Sequence, residues 1–244
     1  MSALLRAELL KLRTTRTFGA LVTAAAVLGV VTSGLSAALS QDLTREAVRS
    51  FVLADASQLF ILLLGVVGMS GEWRHRTITS SVLAAPDRAR LVLAKAIAYA
   101  VAGVVLSLVV QLLVFTVATV ILTAREEVTL PASELADLLW RNLVLAAAFG
   151  AIGVGVGGLV RNQAVAVVLV LVVSFALEPL LLALVPAVGR FGPFVGASTA
   201  FIGGDTGFPG AELLAPGLAL LVLVAWVAVL CGLALALLQR RDLT

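Results

Sequence analysis

Six stretches of this chain are each apolar over about the length a bilayer crossing needs, and that feature limits the fold before any motif does. A hydrocarbon core of about 30 Å takes roughly 20 residues of α-helix to cross. The stretches are Phe18–Leu39, Phe51–Ser70, Ala96–Leu122, Asn142–Val160, Ala164–Pro186 and Leu213–Leu238. Backbone groups in hydrocarbon find no water, so each segment must satisfy its own hydrogen bonds and be helical. The expectation is an all-α polytopic membrane protein with six transmembrane helices, folded as one domain over residues 1–244. Composition explains itself on this basis: 13% of the 244 residues are charged, where a soluble domain carries about 25%. A charge at mid-bilayer costs about 2.5–3.5 kcal/mol on insertion scales.

Orientation follows from where the basic residues fall. With the N-terminus cytoplasmic, twelve of the 17 Lys and Arg residues lie in inside segments and five outside. The inside group is Arg6, Lys11, Arg13 and Arg16, then Arg74, Arg76, Arg88, Arg90 and Lys95, then Arg161, Arg240 and Arg241. Positive-inside bias therefore predicts that both termini are cytoplasmic. The count depends on Arg161-Asn162-Gln163 being a short cytoplasmic turn between the fourth and fifth spans. The first apolar run reaches 22 residues, beyond the 7–15 of a signal-peptide core, and is expected to remain as a span.

The segments between spans carry most of the polar chemistry. Leu5, Leu9 and Leu12 recur at helical spacing before the first span, with Arg6, Lys11, Arg13 and Arg16 around them. That is the pattern of an amphipathic helix lying at the membrane interface. Residues 71–95 read GEWRHRTITSSVLAAPDRARLVLAK, far more than the few residues a connector needs. Pro86-Asp87 offers a break between two short helices, and the segment reads either as a topology determinant or as a docking element for a cytoplasmic partner. Outside, Pro131-Ala132-Ser133 is placed to start a short helix leading to Trp140. Ala187–Glu212, rich in glycine and proline, is too interrupted to span and reads as a re-entrant or interfacial hairpin.

Ionisable residues inside the spans are few. Glu178 lies roughly 21 Å from the inner edge of its span and Asp55 roughly 6 Å inside the outer edge, at the helical rise. Asp55 shares a helix face with Gln58 and Gly65. An intramembrane acid is a candidate for a substrate pathway, so Glu178, Asp55 and Gln58 are the pathway candidates; simple wetting near the surface is the other reading. Gly153 and Gly157 form a GxxxG, which permits close helix approach without specifying an activity. A phosphate-binding Walker A loop needs Gly immediately before its Lys; Lys11 follows Leu10 and Lys95 follows Ala94. With one histidine, His75, and one cysteine, Cys231, the chain has no framework for a multi-histidine metal site or a disulfide, and no nucleophile–base pair is visible.

These features together resemble the permease subunits of type-2 ABC exporters. Arg6-Ala7-Glu8-Leu9-Leu10-Lys11-Leu12-Arg13 is similar to that family's helix before the first span. Gly71-Glu72 through Thr77-Ile78, then Leu83, Pro86, Arg88 and Lys95, is similar to its first cytoplasmic loop. The glycine-rich fourth span followed by Val160-Arg161-Asn162-Gln163-Ala164 also fits. One departure is Arg76, where the family often has glycine before the threonine.

The resemblance implies a coupling helix between spans two and three, docking on a cytoplasmic ABC ATPase, with Glu72, Arg74, Arg76, Thr77, Pro86, Arg88 and Lys95 as the coupling residues. It also implies a connecting helix along the inner leaflet and a second permease copy, identical or homologous. It implies no cofactor and no catalysis on this chain, ATP and Mg2+ being held by the partner. Lipids are expected partners and nucleic acid is not. The expected location is a bacterial plasma membrane, and the expected cargo a drug-like, peptide or lipid substrate. A non-transporting membrane anchor or regulatory subunit, an intramembrane enzyme and an ion-coupled carrier are the competing readings.

Overall fold

The computed structural model describes residues 2–40, 48–49, 57–75, 77, 87–127, 129–208 and 210–240, and every regular element among them is helical. The helices are α1 (Ser2–Thr14), α2 (Arg16–Leu39), α3 (Ser57–Arg74), α4 (Arg88–Ala124), α5 (Ala132–Leu159), α6 (Gln163–Leu184), α7 (Pro186–Gly189), α8 (Gly196–Ile202) and α9 (Pro216–Arg240). Among the described residues five helices are long and apolar enough to cross a membrane: α2 from Thr17, α4, α5, α6 and α9. The second expected run is described from Ser57 onward, as α3.

α5 is the hub. Within its most apolar stretch 72% is buried inside the chain, against 17% in α2 and in α9. The burial is made possible by glycine on both sides of the α3–α5 crossing. A Cβ on Gly153 would sit 2.9 Å from the Gly65 Cα, and one on Gly65 would sit 3.0 Å from the Val154 nitrogen. With hydrogen there instead, the two backbones touch, the contact by which helices associate in lipid. The predicted GxxxG thus faces α3. α3 and α5 run parallel, with Gln58 beside Asn142 at one end and Trp73 beneath Arg161 at the other.

Two helices exceed their predicted spans, because hydropathy registers lipid contact and not helix. α5 starts at Ala132, so the predicted external helix and the fourth span are one element. α4 has 37 residues, about 55 Å of helix against a core of about 30 Å. Its first two turns project beyond the apolar run. Asp87 starts it as an N-cap, accepting from the Ala89 and Arg90 N–H groups at 3.0 and 3.2 Å, which satisfies donors that the first turn leaves unpaired.

The Arg161–Gln163 break is a tight turn on the protein surface. Asn162 caps α6, its Oδ1 accepting from Ala164 and Val165 N–H. Further along α6, Pro179 has no N–H to donate and its ring crowds the preceding turn. Residues Val173–Leu177 widen there into a π-turn, the usual way a helix absorbs such a defect. α7 and α8 then fold back over this end of the bundle. Trp226 Nε1–H donates to the Phe191 carbonyl at 2.9 Å, Arg141 donates to the Phe201 carbonyl at 2.8 Å, and Phe194 meets Phe149 edge-on at 5.7 Å.

Candidate functional site

The most concentrated chemistry lies at the end of the bundle where α1, the last turn of α3 and the first turns of α4 meet. Glu8 stands between Leu5 and Leu12 on one face of α1, so packing that face inward carries its carboxylate in with them; Glu8 is 4% exposed and Leu12 5%. Opposite it are Glu72 on α3 and Lys95 on α4, 6% and 1% exposed. Lys95 Nζ donates to Glu8 Oε2 at 2.6 Å and pairs with Glu72 Oε1 at 2.8 Å. Lys11, half-exposed at the rim, reaches Glu8 Oε1 at 3.0 Å and Glu72 Oε1 at 3.1 Å. Two carboxylates and two ammoniums close a neutral four-membered network, the condition under which buried charge is tolerated.

The electrostatics of the network are reciprocal. Burial by itself pushes the Glu8 carboxyl up, but the charges and hydrogen bonds of Lys95 and Lys11 outweigh it and hold Glu8 below its ordinary 4.5. Burial likewise pulls the Lys11 ammonium down, and Glu72 with Glu8 outweighs it, raising Lys11 above its ordinary 10.5. One turn after Lys95, the buried Tyr99 lays its ring against Gly68, and both face a cavity of about 500 Å3 shared with Glu8, Lys11, Thr15 and Arg74.

The network brackets the segment between α3 and α4. The Glu72–Lys95 contact joins the two helix ends from which the loop departs, and Glu8 and Lys11 add α1 to the same knot. Of the expected coupling residues, Glu72 and Lys95 therefore point inward. Arg88 is turned toward the end of α9, donating to the carbonyls of Leu238 and Gln239. Arg74, whose guanidinium is 3.5 Å from Gln163 Oε1, and Thr77 are exposed. Arg76 and Pro86 lie outside the described residues, as does Asp55. Sequence reasoning did not single out the side chains of Glu8, Lys11 and Tyr99; an acid on the apolar stripe of α1 was the available signal.

Gln58 and Glu178, the pathway candidates among the described residues, have separate partners. Gln58 Nε2 donates to the carbonyl and Oδ1 of Asn142 at 3.2 and 3.3 Å, bracing α3 on α5. Glu178 is instead buried at the hairpin, its Oε2 accepting the Phe194 and Val195 N–H groups at 2.9 and 2.7 Å. That carboxylate ties the widened part of α6 to the turn before α8.

Comparison with protein-family models matches residues 4–177 to the family described as ABC-2 family transporter protein. Comparison with curated proteins gave no match.

Proposed function

The chain belongs to the ABC-2 family of transporter proteins, and from that premise we propose that it is the permease half of an ATP-driven exporter whose ATPase is a separate polypeptide. Members of the family are non-catalytic transmembrane subunits that generally pair with an ABC ATPase. The apolar run beginning at Phe51, whose described part is α3 (Ser57–Arg74), is our sixth span. Six spans form half of a pathway, completed by a second permease copy. The end bearing Arg6, Arg13, Arg74, Arg88, Arg90 and Arg161 is the cytoplasmic one, in keeping with the inward bias of basic residues. α1 lies along the inner leaflet, with Leu10, 62% exposed, turned to lipid.

The observation that carries the reading is the Glu8–Lys11–Glu72–Lys95 network at the base of the 75–87 segment. A loop that only joined two spans would need no buried ionic knot behind it. A loop that receives a push does, because force is transmitted only if its ends cannot yield separately. ATP-driven closure of the ATPases presses on this segment, and the knot moves α1, α3 and α4 as one body. The two permease halves thereby exchange between inward- and outward-open packings, a switch between discrete arrangements. The cargo class is a drug-like, peptide or lipid molecule.

Purification in mild detergent with the ATPase co-expressed tests the partnership. The chain is expected to bring down the ATPase, and Arg74→Glu with Arg76→Glu is expected to weaken that association without preventing membrane insertion. A wild-type chain that elutes alone would overturn the proposal. An unaltered complex in the double variant would remove those two arginines from the contact.

A further inference from the structure

We infer that the cavity behind the α7–α8 hairpin is a binding site for a small amphipathic amine in its protonated form, held by Glu178. The cavity measures about 380 Å3 and lies between α5, α6, α9 and the hairpin, with walls that include Val173, Leu177, Leu181, Phe194 and Trp226. Its size and its apolar walls are those of a small-molecule pocket, in which a few polar groups fix orientation. Glu178 is the one acid in the wall. Its Oε2 is satisfied by two backbone N–H groups. Its Oε1 is buried and has no hydrogen-bond partner among the described residues, and no described basic side chain forms an ion pair with the carboxylate.

A buried carboxylate oxygen without a donor is costly, and a ligand that supplies an N–H and a positive charge removes that cost. The aromatic walls favour the same occupant, since a cation is attracted to ring faces. The hairpin already shows this preference on its own side chain: the Arg190 guanidinium rests over the Phe191 ring at 5.2 Å. Gly192 completes the geometry, for a Cβ there would come 2.6 Å from the Glu178 carboxyl carbon and displace it. An anionic or purely apolar occupant leaves Oε1 unpaired; an ammonium with a short apolar body pairs it and fills the walls. The site requires no assumption about export: binding is a property of this chain whether or not the amine is carried across.

The test is calorimetric titration of the full chain, with any co-purifying subunit, in phosphatidylcholine nanodiscs, with empty nanodiscs as the background. The probes are 2-phenylethylammonium and its uncharged counterpart of equal size, 2-phenylethanol. The expected result is one saturable site per chain that prefers the ammonium at least tenfold. Glu178→Gln should erase that preference, changing 2-phenylethanol affinity less than threefold. Leu177→Trp, which fills the cavity from an exposed position, should abolish binding of both and keeps the test decisive should the Gln variant fail to insert. Equal affinity for the two probes, an unchanged preference in Glu178→Gln, or undiminished binding in Leu177→Trp would each overturn the site. None of these outcomes bears on ATPase pairing, so failure here and failure of the permease reading are separable.

Discussion

Lys95 is the residue on which the network turns, because it is the only cation in it that is fully buried and it touches both carboxylates. Lys95→Met leaves Glu8 and Glu72 sharing Lys11 alone, and breaking one partner out of a buried ion pair costs about 3–5 kcal/mol. Adding Glu8→Gln removes the stranded charge, so the double variant should melt above the single one in a detergent thermal-unfolding series. A double variant whose loss equals the sum of the two single losses would mean the residues are not coupled. The same network sets a pH window. Glu8 is held below its ordinary value, so its contribution to seating α1 is present above 4.5 and is lost as pH falls through the lower folded value. Lys11 is raised, so its contribution is present below 10.5 and is lost as pH rises past the higher folded value. The amide protection factors of α1, the intrinsic exchange rate at each pH divided by the observed one, should be high at neutral pH and fall on acidification, and in Glu8→Gln that acid limb should vanish. A wild-type protection profile that is flat at acid pH would contradict the assignment. None of this was visible in the sequence, because Glu8 and Lys95 are 87 positions apart and Lys11 and Glu72 are 61 apart. Alone, Glu8 and Lys11 read as charges beside the membrane, and Glu72 and Lys95 as loop residues facing a partner, with nothing to join them.

Among the elements, the α3–α5 crossing bears the closest packing. Gly153→Val would drive a branched side chain into the α3 backbone, an overpacking that costs about 1–3 kcal/mol or more where neither helix can withdraw. Gly232→Ala on α9, where an added Cβ meets nothing within 4 Å, should be neutral or slightly stabilising on helix propensity. Folded yield and thermal midpoint of the two variants measure the contrast, and equal losses would show that the crossing tolerates separation. Five of the six expected spans were legible, since an apolar run of fixed length is a direct imprint of the bilayer. Their ends were not. Glu134, Asp137 and Arg141 break the hydropathy of α5 while leaving its helix intact, and Arg88 to Lys95 do the same for α4. The π-turn at Val173–Leu177 was half legible: Pro179 announces a defect, while the way the helix absorbs it depends on the hairpin that Glu178 grips.

At the scale of the whole molecule, the described helices carry the ionic network at one end and the α7–α8 hairpin at the other, and the proposed function makes the first the end that receives force. The network joins α1, α3 and α4, and α5 packs against α3, α4 and α9; in the proposed mechanism the network passes the motion of the loop to α5. Family membership rests on residues 4–177, which include the knot, the hub and α6 through its π-turn. Excess length and basic residues marked the 71–95 segment in the sequence as a docking candidate; the network at its base required the fold. The most direct measurement is ATP turnover of the purified permease–ATPase complex, wild type against the Glu8→Gln, Lys95→Met double variant, which lacks the knot without stranding a buried charge at Lys95. The account predicts a complex of unchanged composition in which permease stimulation of ATP turnover falls at least tenfold. Stimulation equal to wild type in an intact complex would contradict it.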